Sequence, residues 1–363
     1  MTFVSKDADN PKYKIDISRD EKKYNSRTDC LLRILLCSSE LPDDLYAHIN
    51  ISYDCFRQNI SKLLRRGLIH RISADGVAGY QLTLKGKRLT YEPKYSKYRV
   101  YVEAETDRHY NIKRRRRKRQ QAYIFALLDR AGITYETFSK PSFENAVDSD
   151  TVYYYEALDF KRLIDYESTA FQGSKVLGFF VGRKKIIPIY KTNAVVSSFG
   201  KHERLVPEAL KRHFGLEVDT AILLCADVEG CLTQIIDGYN YYKENINFAG
   251  YRCFSLFPTG DSFLSHFQDI YEDHSATEHT LISRYTINTS NRDDKGRYRI
   301  ITGTGFINDT PVYICAGNVN AVTLRSFILN AQQNKQNFIF CQERDYSVLK
   351  EITKDKPIYV VSI

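Results

Sequence analysis

The sequence predicts an α/β chain that opens with a small α+β unit and continues into a larger layered α/β domain. Three observations carry this expectation. The first is length, since 363 residues at roughly 100–200 per domain call for two domains. The second is period: near the start, apolar residues recur at helical and then at strand spacing, whereas the later chain alternates short β runs with helical ones, as a sheet covered by helices does. The third is charge. Residues 1–121 carry 27 Lys and Arg against 15 Asp and Glu, a net +12, and residues 122–363 carry 26 against 29, a net −3. The formal +9 of the whole chain therefore lies entirely in its first third, an asymmetry that points to a polyanion at one end.

Composition removes several classes. With 43% apolar and 27% charged residues, 18 Gly and 9 Pro, the chain is neither collagen-like nor of low complexity. Its eight cysteines (Cys30, Cys37, Cys55, Cys225, Cys231, Cys253, Cys315 and Cys341) form no C-x-x-C pair, so metal-knuckle spacing is absent, and most sit in apolar runs as buried thiols. No apolar run approaches the roughly 18–20 residues that span a bilayer, and the first residues lack a signal-peptide core. A cytoplasmic, reducing setting without a membrane partner is expected.

Residues 1–26 mix charges without apolar periodicity and read as a loose arm. Thr28 is placed to cap a short buried helix over CLLRILLC, and Pro42, Asp43 and Asp44 to open a second over DDLYAHI. Ser52 caps a third helix in which Phe56, Ile60, Leu63 and Leu64 share a face, and Gly67 stops it. Leu68–Ile72 and Tyr80–Leu84 flank a glycine-containing turn and read as a β-hairpin. Thr83-Leu84-Lys85-Gly86 leads into another helix. This order, with Leu63-Leu64-Arg65-Arg66-Gly67-Leu68-Ile69-His70-Arg71 and Tyr80-x-Leu82-Thr83-x-x-Gly86, resembles bacterial winged helix-turn-helix units over Thr28–Tyr91, which sets an expected domain at residues 27–92.

Residues 93–121 form an expected basic connector with 11 basic and 3 acidic residues. It ends in Arg114, Arg115, Arg116, Arg117, Lys118 and Arg119, just before a helical stretch, Gln120–Ala131, stopped by Gly132. Cations at a helix N-terminus oppose the macrodipole at about 0.3–1 kcal/mol each. A phosphate clamp, a nuclear import signal and a solvated helix start all fit the run, and the clamp is favoured.

The remainder, residues 122–363, is expected to be the α/β domain. Strands are expected at Val152–Tyr155, Lys175–Val181, Lys185–Tyr190, Thr220–Cys225, Cys253–Phe257, Arg297–Gly303, Pro311–Ala316, Asn337–Cys341 and Pro357–Val361. Helices are expected at Lys201–Phe214, Glu229–Tyr242, Ser262–Tyr271, Val322–Gln332 and Tyr346–Ile352. No repeat is visible in the sequence. A helical stretch with Glu156 and Asp159, a hairpin and a long helix follow the order of the restriction-endonuclease-like fold, where a carboxylate and a (D/E)-x-K triplet hold a metal ion. The matching triplet is Ile189-Tyr190-Lys191, so the carboxylate is missing and the expectation leans away from catalysis.

With these residues in view, the chain resembles the replication-relaxation family of plasmids and integrative conjugative elements, which joins a winged helix to a degenerate endonuclease-like domain. The resemblance rests on Leu63–Leu68, Leu82-Thr83 with Gly86, and Ser174–Gly178 followed by Ile189–Asn193, with Lys191 a departure. It implies a DNA-binding accessory in replication initiation, relaxation or transfer of a mobile element.

The third helix is then the reading helix. Its polar face holds Tyr53, Arg57, Gln58, Ser61, Lys62 and Arg65, donor types suited to base edges and phosphates, and the hairpin adds Arg71. The rival reading of that face is a protein-docking surface. Double-stranded DNA, a second copy of the chain and replication or transfer proteins are the expected partners. No cofactor, metal or catalytic residue is assigned: no H-x-H pair, P-loop or G-x-S-x-G exists, and Gly303-Thr304-Gly305 is a lone G-x-G. The alternatives are a nuclease or nickase, and a transcriptional regulator with a ligand-sensing α/β domain.

Overall fold

The computed structural model describes residues 26–74, 76–91, 112–136, 139–157, 159–160, 174, 176–191, 201–237, 251, 253–260, 262–271, 287–288, 302–307, 310–317, 320–329, 331 and 336–363. It is mixed α/β and falls into two units, Met1–Gly132 and Ile133–Ile363. The expected arm, residues 1–26, lies outside the described residues apart from Ser26.

In the first unit the order is α1 (Ser26–Ser38), β1 (Leu41–Pro42), a 3-10 turn (Leu45–Ala47), α2 (Tyr53–Arg65), β2 (Ile69–Ala74), β3 (Val77–Leu82), α3 (Leu84–Tyr91) and α4 (Ile112–Arg130). The three strands form one antiparallel sheet in the order β1-β3-β2. Two local expectations change. The stretch DDLYAHI makes a single 3-10 turn, because Leu45 is its one fully buried apolar anchor. Thr28 lies inside α1, and its buried hydroxyl donates to Asn59 Oδ1 at 2.6 Å, joining α1 to α2.

Residues 93–111 of the expected basic connector lie outside the described residues, and its remainder is helical. Arg114–Arg119 begin α4, which continues through Arg130. This helix packs on α1 with Ala122, Ile124, Phe125, Ala126, Leu127 and Leu128 buried. At roughly 1.5–3 kcal/mol for each large side chain buried, that face commits the whole helix to the first unit. The division accordingly falls after Gly132 (φ +67°) rather than at residue 121.

The second unit holds two five-stranded sheets where a single central sheet was expected. The first contains β4 (Tyr153–Glu156), β5 (Val176–Gly182), β6 (Lys185–Lys191), β7 (Thr220–Cys225) and β8 (Cys253–Pro258), in sequence order. Its helices are α5 (Phe143–Val147), α6 (Lys201–Phe214) between β6 and β7, α7 (Val228–Asp237) between β7 and β8, and α8 (Phe263–Tyr271). The second sheet contains β9 (Ile287–Asn288), β10 (Thr302–Ile307), β11 (Thr310–Gly317), β12 (Gln336–Cys341) and β13 (Ile358–Ser362). Here α9 (Ala321–Leu329) and α10 (Glu343–Ile352) are the crossovers.

The two sheets follow one scheme. In each, the first three strands pair antiparallel and the last two add in parallel, each through a helix. The match reaches single atoms. Cys225 ends β7 and Cys341 ends β12; their thiols donate to Phe257 O and Val361 O, each at 3.7 Å. Their carbonyls accept from Thr259 N at 3.2 Å and from Ile363 N at 2.9 Å. The equivalent helices α7 and α10 pack against each other, and one apolar core draws on both halves, including Phe179, Leu232, Phe254, Phe327 and Leu349. The unit is a structural repeat whose sequence carries no visible period, because burial constrains residue class rather than identity.

Candidate nucleic-acid interface

Helix α2 is fixed from both ends and from beneath. Ser52 Oγ accepts from Cys55 N at 3.3 Å at its N-terminus, a cap worth about 1 kcal/mol. Phe56, Ile60 and Leu63 are buried, as is Asn59, whose amide nitrogen donates to Cys55 O at 2.8 Å. Gly67 adopts φ +65° just past the helix, the left-handed turn that ends it. Beyond it, Thr83 caps α3 by accepting from Gly86 N at 3.0 Å, and its own hydroxyl donates to Gly67 O at 2.7 Å. A Cβ on Gly86 would lie 2.0 Å from Leu68 O, so the Thr83-x-x-Gly86 phrase joins the end of α2 to the start of α3.

What remains outside is the polar face. Tyr53, Arg57, Gln58, Ser61, Lys62 and Arg65 are all exposed. Five of them line a shallow hollow together with Asp54. Tyr53 stands beside that group with its ring edge-on to Tyr46, centroids 5.4 Å apart. Arg65 Nε donates to Ser61 O at 3.4 Å. On the hairpin, Arg71 is exposed in β2 next to His70, whose imidazole is drawn below its ordinary range by partial burial. The structure thus gathers Arg57, Gln58, Ser61, Lys62 and Arg65 on one helix face. Asp54 was missing from the expected set; its place in the first turn complements the helix dipole.

The basic run behaves differently. Arg115 is buried and holds Glu40 in a two-pronged pair, Nε to Oε2 at 2.9 Å and Nη2 to Oε1 at 2.8 Å, with a third bond from Nη2 to Val77 O at 3.0 Å. Lys118 is buried as well. Arg119 is mostly covered: it donates to Ala78 O, and its Nη2 lies 3.3 Å from Asp44 and 3.5 Å from Asp43. One turn further on, Tyr123 donates to Asp44 at 2.6 Å, and burial followed by that bond pushes its phenol well above the usual range. Arg115 and Arg119, expected as phosphate contacts, therefore face Glu40, Asp43, Asp44 and the base of the hairpin. Arg116 and Arg117 are exposed, and the side chain of Arg114 lies outside the described residues. The missed signal was present in the sequence, because Arg115, Lys118, Arg119 and Ala122 fall at i, i+3, i+4 and i+7.

In the second unit, Ile189 and Tyr190 of the expected triplet are buried, and Tyr190 Oη lies 2.8 Å from Tyr251 Oη. Burial draws Lys191 below the usual lysine range. Asp159 accepts from Lys140 Nζ at 2.7 Å and from Glu156 N at 3.0 Å, so its carboxylate closes a local turn. Gly303 and Gly305 lie within β10. His266 is buried, bridging Ser262 O at 2.8 Å and Asp345 Oδ1 at 3.0 Å, a link that joins α8 to α10 and that no spacing in the sequence signalled. His274 and His279 lie outside the described residues. Among the described residues no three His, Cys, Asp or Glu side chains converge as a metal-ligand set, and no helix is long and apolar enough to cross a membrane.

No family model, curated protein or solved structure matches this chain.

Proposed function

We propose that the chain is a duplex-DNA-binding accessory of a mobile genetic element. It acts in replication initiation, relaxation or transfer, or in their regulation, by occupying DNA and recruiting partners. In this reading the first unit is a winged helix. Helix α2 enters the major groove, the β2–β3 hairpin is the wing, and Arg71 meets phosphate beside it. The observation that carries the reading is the exposed face of α2, where Arg57, Gln58, Ser61, Lys62 and Arg65 converge on one hollow over a helix anchored by Phe56, Ile60 and Leu63. Arg pairs two-pronged with guanine, Gln with adenine, and Ser or Lys reaches phosphate. Arg116 and Arg117 add phosphate contacts free of sequence preference.

The second unit supports a supporting role over a catalytic one. The order α5-β4-β5-β6-α6-β7, with antiparallel pairing up to β6 and parallel pairing beyond it, resembles that expected of an endonuclease-like fold and supports this reading. Ile189 stands where that fold places a metal-binding carboxylate. A magnesium ion needs hard oxygen ligands, and the buried isoleucine supplies none. The unit then serves assembly, with two copies of the chain placing two reading helices on paired half-sites. Occupancy of this kind belongs in the cytoplasm, where the element's DNA is.

The test is a titration of labelled duplex DNA with the whole chain across a salt series. Wild-type affinity falls steeply with salt, by about 0.9 log units per log unit of salt for each phosphate neutralised. Arg57→Ala with Lys62→Ala weakens binding at every salt concentration. Equal affinity for the wild type and this variant would remove the DNA reading and leave protein docking for the same face.

A further inference from the structure

The two sheets of the second unit end on matching strands with different edges. Each closes on a fifth strand, β8 in one and β13 in the other, that has a neighbouring strand on one side only among the described residues. The bond from Thr259 N to Cys225 O matches that from Ile363 N to Cys341 O, which sets Phe254, Leu256 and Pro258 of β8 against Ile358, Val360 and Ser362 of β13. Backbone groups alternate in direction along a strand of a parallel pair. Thr259 and Ile363 turn theirs into the sheet, so the matched residues turn theirs outward.

On β8 that edge is closed. Asn320 bridges to Ser255, and its side chain accepts from Phe254 N at 3.2 Å. Pro258 has no N–H to offer, and Cys253 to Phe257 are all buried. β13 lacks these devices. Ser362 stands where β8 has its proline, and Val360 and Ser362 direct both N–H and C=O to an edge along which no described strand lies. Of the three outward residues, Ile358 alone has its N–H taken in a local turn, by Lys356 O at 2.7 Å. From Ile358 to Ile363 the sequence is Ile-Tyr-Val-Val-Ser-Ile, without the charges or proline that blunt natural edges. Tyr359 is 60% exposed with its ring stacked on Phe338, centroids 5.3 Å apart, while Ile358 and Val360 pack on the core.

We propose that β13 is a dimer interface, pairing antiparallel with β13 of a second copy of this chain so that the two sheets join across a twofold axis. The occupant follows from the strand's own pattern. An axis at Val360 sets Val360 opposite its counterpart and Ile358 opposite Ser362, so outward-turned groups meet outward-turned groups. Val360 N then donates to the counterpart Val360 O, and Ser362 N to the counterpart Ile358 O, each in both directions, and the occupied Ile358 N is not needed. Between these pairs Tyr359 comes opposite Val361, an aromatic against a β-branched residue, which is a favourable cross-strand pair. Moving the axis by one residue would bring inward-turned groups to the pairing. A residue on a twofold axis meets its own copy, so a charge there would repel itself, and this strand carries none.

The inference rests on the assembly role proposed above and names its surface, but it does not need DNA to be bound. The full chain is sedimented without DNA over a concentration series. The wild type should reach twice the 42.1 kDa of one chain, and backbone hydrogen exchange over residues 358–363 should slow as it does. Tyr359→Lys and Ser362→Pro, the second copying the device of β8, should each sediment as single chains at concentrations where the wild type is paired, with unchanged far-UV circular dichroism. A wild type that stays single throughout would overturn the proposal and leave the edge to a strand of another protein. A dimer that survives both substitutions would overturn it too. So would a wild-type dimer whose residues 358–363 exchange as fast as in the single chain, and that readout decides even if a variant fails to fold. Failure here is separable from failure of DNA reading: Arg57→Ala with Lys62→Ala should leave the dimer intact, and Tyr359→Lys should leave α2 able to bind a single half-site.

Discussion

Helices α2 and α4 both carry clustered cations, yet they use them in opposite ways. On α2, Arg57, Lys62 and Arg65 stand outside an apolar floor of Phe56, Ile60 and Leu63. On α4, Arg115 and Lys118 lie inside, and Arg119 reaches the acids beside the hairpin. The denser run is the more internal one. A count of positive charge therefore does not locate a polyanion site, whereas the position of each cation on its helix does, because burial forces a charge to find a partner.

The largest effect should come from breaking the inward cluster. Glu40→Ala leaves Arg115 buried without its carboxylate, and removing one partner of a buried pair costs about 3–5 kcal/mol. Denaturant unfolding followed on the first unit should show that loss. Glu40→Leu combined with Arg115→Met should recover most of it, since an apolar pair of similar volume is often neutral. If Glu40→Ala unfolds like the wild type, the contrast between the two helices collapses.

Next in size is the outward cluster. Arg57→Ala should cost about 1–3 kcal/mol of duplex affinity if Arg57 reads a base, while stability stays within about 0.5 kcal/mol of the wild type, as for most surface changes. Arg116→Ala with Arg117→Ala should act more gently, making the salt dependence shallower by up to about 0.9 for each phosphate contact removed. A steeper loss with the Arg116 and Arg117 pair than with Arg57 would reverse the assignment of reading helix and clamp.

The smallest effect concerns a third withdrawn cation. Burial lowers the folded pKa of Lys191 below 10.5, so between the two values the unfolded chain holds more protons and stability rises with pH. Lys191→Met should remove that alkaline rise, read as flatter unfolding free energies from neutral pH upward. An unchanged pH dependence would mean that Lys191 titrates alike in both states.

Much of this fold was legible in the sequence. Thr220–Cys225 and Lys201–Phe214 appear with the expected bounds, and the polar face of α2 lies opposite Phe56, Ile60 and Leu63 as expected, whereas Leu64, expected on their apolar face, is exposed. Two kinds of feature were not. Partnerships between residues far apart in the chain, such as Arg115 with Glu40 and His266 with Asp345, leave no local pattern, because the acid that neutralises a buried cation can lie anywhere in the sequence. The doubling of the strand scheme was hidden for a related reason: β7 and β12 share a role and an apolar character, but their common residue is little more than the closing cysteine. Residue class was therefore readable, and pairing was not.

The central claim, that the exposed face of α2 meets duplex DNA, can be tested by placing a photo-crosslinking side chain at Ser61 or, as a control, at Tyr359, which is 60% exposed on the second unit. Irradiation with a labelled duplex should give a covalent protein–DNA product from position 61 and none above background from position 359. Crosslinking from position 359 with none from position 61 would contradict the account.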